Sequence, residues 1–425
     1  MKILILTYYW PPSGGSGVQR WLQFVKYLQD FGVTPVVYTV ENPSYAIEDS
    51  TLASEIPKGV EVLRRPIWEP YSLLAPFSKN KTTTKAGFLT KSPTFFGKLV
   101  RYVRANYFIP DARKFWIRPS VHYLEAYLQK NPVDVIVSSG PPHSLHLIAM
   151  QLKKKTNTPW VADFRDPWTA IDYFQDLPLT KRSKRKHLAL EEEVLKKSDA
   201  VWVVGKTMQT NYASFNKQTK LVPNGYDVEI SEKTDVLDAQ FTITHVGMMN
   251  EDRNPHLLWE VLQELSEEVS GFSKKLKVQL IGKVASRVLE SIQKSSLEGS
   301  TELIGYLPHK EVQKYQRKSQ VLLLAINNVP SAKGIVTGKL FEYLASKRPV
   351  LAIGPEDGDL AGILEETRGG VIAGFENKEK LKEAVLTFYK AYLEKETTLA
   401  SQGVEKYHRK EITAQLVHYL KEVTA

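Results

Sequence analysis

The chain has no cysteine in its 425 residues. That excludes disulfides, thiolate-bound zinc and thiol nucleophiles, and it fits a reducing compartment such as the cytoplasm. No apolar run approaches the roughly 20 residues a membrane-spanning helix needs. The opening Met1-Lys2-Ile3-Leu4-Ile5-Leu6 is too short for a signal-peptide core and reads as a buried first strand. Repeats and low-complexity tracts are also missing. Acids are scarce in one place: residues 79–118 hold ten Lys or Arg against one acid, Asp111. Aromatics are mixed into the same stretch, among them Phe95, Tyr102, Tyr107, Phe115 and Trp116. A second basic cluster, Lys181-Arg182-Ser183-Lys184-Arg185-Lys186, follows. Basic and aromatic residues together suit an anionic membrane surface or nucleic acid, and the plain alternative is a solubilising face. No nucleic-acid motif accompanies them, so no nucleic-acid partner is expected.

The length is too great for one core, and two domains are expected. Short β-branched runs alternate with longer periodic segments, which signals βαβ units and parallel sheets. One series runs through 3–7, 34–38, 60–63, 133–138, 160–162 and 200–204. A second begins at 241–246 and continues through 277–281, 301–304, 321–324, 350–353 and 370–372. The expected fold is therefore α/β, with two Rossmann-like domains facing each other across a cleft. Residues 1–205 form the first domain, with a basic aromatic insertion at about 75–118. Residues 206–400 form the second, and 401–425 form a helix packing near the junction.

Three segments carry chemistry. After the first strand comes Pro12-Ser13-Gly14-Gly15-Ser16-Gly17, glycines that allow close backbone approach at a helix N-terminus. The spacing is neither the dinucleotide fingerprint nor a Walker A loop, which disfavours a nicotinamide dehydrogenase. The second series opens similarly with Gly247 and, six residues on, Arg253. In Thr337-Gly338-Lys339-Leu340-Phe341-Glu342, a Lys and a Glu stand at i and i+3 in a first helical turn. There the Lys and free amides can meet a diphosphate while the Glu accepts from ribose hydroxyls; a surface ion pair is the plain alternative. Asp357-Gly358-Asp359 has the form of a metal-binding pattern, but its setting after Gly354-Pro355 favours a turn.

Taken with Pro223-Asn224-Gly225-Tyr226-Asp227, Ser139-Gly140-Pro141-Pro142-His143 and Asp163-Phe164-Arg165-Asp166-Pro167-Trp168, these pieces resemble the GT-B glycosyltransferases. The likeness is to family 4, the retaining nucleotide-sugar-dependent enzymes, and to a bacterial polysaccharide subgroup within it. The resemblance implies transfer of a sugar from a UDP- or GDP-sugar to a hydroxyl of a lipid-linked or saccharide acceptor. It implies donor contacts at Gly14, Gly15, Ser16, Gly17, Asn224, Gly247, Arg253, Thr337, Gly338, Lys339, Leu340 and Glu342. His143, Arg253 and Lys339 would act in catalysis, and His143, Asp163, Arg165, Asp166 and Trp168 would border the acceptor. For the two Asp residues, Arg165 and Trp168, a structural ion-pair network is the alternative. No metal or cofactor is expected. Localisation is expected to be cytoplasmic, peripheral on the inner face of the membrane through segment 79–118. Two departures stand out: Gly334 occupies the position of a usual acid, and Met248 that of a usual Arg. A sugar-nucleotide 2-epimerase and a non-catalytic sugar-nucleotide-binding homologue are the alternatives.

Overall fold

The computed structural model describes residues 1–45, 48–69, 95–227, 236–396 and 401–425. Of the expected basic insertion, the part before residue 95 lies outside the described residues.

Two compact units emerge: residues 1–223 with 409–425, and residues 224–408. Among the described residues the first holds seven strands: β1 Lys2–Leu6, β2 Thr34–Val40, β3 Glu61–Arg65, β4 Val135–Gly140, β5 Trp160–Phe164, β6 Ala200–Val203 and β7 Thr219–Leu221. Their order is β3-β2-β1-β4-β5-β6-β7, parallel throughout. Ile3 pairs with Pro35 on one side and Val135 on the other, so the winding reverses between β1 and β4. Ligands of doubly wound sheets bind beyond the carboxyl ends at such a switch point.

Residues of the central strands β1, β4, β5 and β6 are buried on both faces, as a sheet covered by helices requires, while the edge strand β3 is mostly exposed. Ile3 and Ile5 join one core cluster, with Trp21 and Trp202, while Leu4 and Leu6 join the other, with Trp116 and Trp160. The helices are α1 Ser16–Leu28, α2 Phe95–Tyr107, α3 Ile117–Lys130, α4 Ser144–Thr156, α5 Lys181–Lys197 and α6 Lys206–Ala213.

The second unit repeats the plan. Its strands β8 Phe241–Val246, β9 Leu276–Ile281, β10 Thr301–Ile304, β11 Val321–Ala325, β12 Val350–Ile353 and β13 Gly370–Ala373 are ordered β10-β9-β8-β11-β12-β13, again parallel. Its helices are α7 His256–Glu268, α8 Phe272–Lys275, α9 Ser286–Lys294, α10 His309–Lys318, α11 Gly338–Ala345, α12 Asp359–Thr367 and α13 Lys378–Glu394. The switch point lies between β8 and β11, beside Gly247.

The unit boundaries fall at 223/224 and 408/409 rather than at 205/206 and 400/401. The reason is packing. β7 pairs with β6, which keeps residues 206–223 in the first unit. Helix α14, Arg409–Thr424, buries Ile412, Leu416, Val417 and Leu420 in the cluster that holds Trp21 and Val25 of α1.

Candidate functional site

In the second unit the chain leaves β8 through Gly247, at φ 102°. That left-handed backbone favours glycine, and a second constraint acts on the same atom. A Cβ at 247 would lie 2.7 Å from Nζ of Lys339, which reaches over from the first turn of α11. Burial, then the charge of Arg253, pulls the Lys339 ammonium down to about 8, with Glu342 opposing. Arg253 ends a single turn at 251–253 and donates from Nη1 to the Met248 carbonyl at 3.2 Å. Two cations near a helix N-terminus have the chemistry to receive an anion such as a diphosphate. Behind them, His245 is fully buried, with Nδ1 3.1 Å from the Leu323 carbonyl oxygen, and burial first, then Lys339, brings it to about 3.

The other residues of this turn divide by exposure. Thr337 caps α11 in an extended conformation, and its Oγ1 is buried without a hydrogen-bond partner. Gly338 opens the helix, and a Cβ added to it would enter open space. Leu340 is wholly buried, so its side chain is core and only its backbone can serve a ligand. The Glu342 carboxylate lies 3.2 Å from His309 Nε2 and accepts from Gln316 Nε2 at 3.4 Å. His309, Gln313 and Gln316 are spaced i, i+4 and i+7 on α10, one helical stripe, and Gln313 Nε2 lies 3.2 Å from His309 Nδ1. Sequence reasoning missed His309 and Gln316, although that spacing was a readable signal. Asn224 opens the second unit, half-buried before Gly225 at φ 64°. Asp357 pairs with Lys333, and Asp359 is the first residue of α12. Among the described residues no group of three or more His, Asp or Glu is placed to hold a metal.

In the first unit, the glycine-rich turn leads from β1 into α1. Gly15 caps α1 at φ 81°, preceded by Gly14 and Ser13, whose N–H donates to the Trp10 carbonyl at 2.9 Å. Ser16 begins the helix. Gly17 is tight: a Cβ there would sit 3.2 Å from both Arg165 Nη1 and the Tyr9 ring. Arg165 donates to the Gly17 carbonyl at 2.7 Å and to the Pro141 carbonyl at 3.1 Å. Its guanidinium lies over Tyr9, 5.2 Å from the ring centroid, and 3.6 Å from Asp166. One arginine thus ties together the turns that follow β1, β4 and β5.

Asp163 is built into the interior of the first unit. It is fully buried, paired with Arg20 at 2.7 and 3.1 Å, and it accepts from Trp21 Nε1 and Ser139 Oγ, both at 2.8 Å. Burial would raise its carboxyl, but Arg20 and the other donors hold it below the usual range. Each of these partners is internal, so Asp163 locks α1 to β5, in keeping with the structural ion-pair alternative. Arg20 also donates to the carbonyls of Val222 and Pro223, at the end of the unit.

His143 caps α4, is buried, and stacks on Trp168 with ring centroids 4.7 Å apart and planes at 2°. Burial, then the neighbouring His146, His187 and Arg165, pushes it well below ordinary histidine, so it is neutral at pH 7. Its Nδ1 is buried without a hydrogen-bond partner. Gly140 is required beside it, since a Cβ there would meet His146 Nε2 at 2.5 Å. Trp168 is itself buried, donating from Nε1 to His187 Nδ1 at 3.1 Å and from its backbone to Glu191 at 3.3 Å. Its ring therefore braces His143 against the rest of the first unit. Asp111 accepts from Ser144 N and Arg113 N, both at 2.8 Å, which places a carboxylate at the start of α4.

Residues 84–230 match the family described as Glycosyltransferase Family 4, and residues 240–391 match Glycosyl transferases group 1. Among solved structures, a sucrose-phosphate synthase from Thermosynechococcus elongatus is 16% identical with TM-score 0.62, over 99% of this chain and 98% of that one. TarM from S. aureus, solved with UDP and alpha-GlcNAc-glycerol, is 13% identical with TM-score 0.62, over 100% and 99%. A Listeria monocytogenes protein assigned as a UDP-N-acetylglucosamine 2-epimerase is 12% identical with TM-score 0.57, over 99% and 96%. Identities this low speak for the fold alone. No curated protein matches the sequence.

Proposed function

We propose that this chain, in which two segments match glycosyltransferase family models and which has the fold of GT-B neighbours, is a GT-B glycosyltransferase that transfers a sugar from a UDP- or GDP-sugar to a hydroxyl of a lipid-linked or polysaccharide precursor, with retention. The observation that carries the reading is the Lys339 ammonium held against Gly247 beside Arg253. Two cations, with the α11 N-terminus, suit a diphosphate as ligand and as leaving group. Glu342, oriented by His309 and Gln316, takes the ribose hydroxyls.

The step balances without further reagents. The bond from anomeric carbon to phosphate oxygen breaks, and its electron pair leaves with the diphosphate. The acceptor oxygen bonds to the same face of that carbon, and its proton passes to a phosphate oxygen. Neutral His143 serves as a hydrogen-bonding group on the acceptor side, since a charged imidazolium is disfavoured at its site. In this reading the reaction needs no metal, and activity should survive chelation. Segment 79–118 would hold the enzyme on the inner face of the cytoplasmic membrane. Gly334, where an acid is usual, leaves the choice of sugar to other contacts.

A thermal-shift screen of nucleoside diphosphates and their sugars tests the reading, because a ligand of the native state raises apparent stability. Stabilisation by UDP or GDP, lost in Lys339→Ala, supports it; no response to any nucleotide overturns it. Conversion of donor without acceptor into a 2-epimer would identify an epimerase instead.

A further inference from the structure

One surface of the first domain has no part in the chemistry above. Helix α2 contains no acid, and Leu99, Tyr102, Val103 and Tyr107 on it are 48, 41, 38 and 65% exposed. Positions i, i+3, i+4 and i+8 form one stripe, which an ordinary amphipathic helix turns to its core. Here the stripe faces out, because the opposite side is already committed. Ala105 is buried, and Asn106 donates to the Pro178 carbonyl and accepts from Thr180 N, both at 2.8 Å.

Those bonds join α2 to the start of α5. That half of α5 turns Lys181, Arg182, Lys184, Arg185 and Lys186 to solvent, with Ser183 and His187 inward. The charge of Lys186 also reaches Lys114, which burial and that charge together lower. Lys114 lies over Phe115, 4.9 Å from its ring centroid, and Phe115 meets Trp68 edge to face at 5.0 Å. Trp68 and Phe115 are 49 and 45% exposed. Single exposed apolar side chains are normal, but an outward helical stripe beside massed cations is not.

We infer that this face, formed by α2, the first half of α5 and the Trp68–Phe115 pair, docks on an anionic lipid bilayer. The cations meet lipid phosphates, while the aromatic and aliphatic groups enter the headgroup layer. Nucleic acid is the weaker match, since Leu99 and Val103 have nothing to contact on a phosphate backbone. The inference rests on the sugar-transfer reading in one respect, that the acceptor is carried by a lipid. It adds a placement: the inner side of α5 holds His187 and Glu191, which fix Trp168 against His143. A helix is about 10 Å across, so docking would bring the bilayer within roughly a helix width of the Trp168 support.

The test uses the full chain with vesicles of phosphatidylcholine, alone or with phosphatidylglycerol, read by sedimentation. We expect binding to the anionic vesicles only, released by high salt. Lys184→Ser/Arg185→Ser/Lys186→Ser and Leu99→Ser/Tyr102→Ser/Val103→Ser should each weaken partitioning about tenfold or more. Melting temperature and donor hydrolysis in solution should stay unchanged. The inference falls if the wild type ignores anionic vesicles, if both triple variants bind as well as wild type, or if RNA is bound and vesicles are not. Failure of the sugar-transfer reading looks different: vesicles bind, but no nucleotide or nucleotide sugar is bound or turned over.

Discussion

The ammonium of Lys339 lies so close to the α-carbon of Gly247 that a methyl group there would meet Nζ at 2.7 Å. Gly247→Ala therefore meets two penalties, a left-handed φ of 102° and the clash. The variant should lose about 1–3 kcal/mol of stability and bind nucleoside diphosphate more weakly. Denaturant unfolding and calorimetry check the two effects separately.

The depressed Lys339 fixes a pH dependence. Its charged form, the one that would meet phosphate in the proposed site, predominates below about 8. Nucleoside diphosphate affinity should fall as pH rises through that value, and binding above it should take up a proton. In the free protein the sign is opposite: a lysine lowered by folding gains stability as pH climbs from 8 towards its ordinary 10.5. Calorimetry in buffers of different ionisation enthalpy reads the proton, and Lys339→Met should abolish the dependence.

Breaking the Arg20–Asp163 pair leaves an uncompensated charge in the core. Asp163→Asn should cost about 3–5 kcal/mol with little change in kcat for the protein that remains folded. A loss of kcat without a loss of stability would return Asp163 to the acceptor side.

His309 and Gln316 orient Glu342, so His309→Ala should raise KM for the donor while sparing kcat. The effect should vanish with a 2′,3′-dideoxyribose nucleotide, and it should not add to that of Glu342→Ala. Equal losses with both nucleotides would show that His309 acts elsewhere.

Trp168→Leu removes the ring behind His143 while keeping an apolar filling. If the nucleotide binds at Lys339 and Arg253 as proposed, the expected result is a lower kcat with donor KM unchanged. His143→Ala should lower kcat as well, and the double variant should be no worse than the poorer single.

Local patterning carried the fold well: β-branched runs marked the strands, and the order of the two series implied the doubled sheet. β7 escaped because Thr219-Lys220-Leu221 has one apolar residue and only joins the sheet edge. Helix α2 escaped for another reason, since its stripe lies inside the basic aromatic run that was read as an insertion. In the site, Gly247 and Lys339 were visible as residue types, but their contact was not, because it spans 92 positions of chain. The same holds for Asp163, whose fate depended on Arg20 and Trp21 far upstream. Sequence spacing reports what one element can offer, and pairing across elements decides whether a carboxylate is a ligand or a lock.

The return of α14 to the first domain also sets an order of events at the ribosome. The cluster around Trp21 and Val25 awaits Ile412, Leu416 and Leu420, which are synthesised after the whole of the second domain. The domain begun first is therefore the one completed last, and until then its nascent chain carries an unsealed apolar flank open to chaperones.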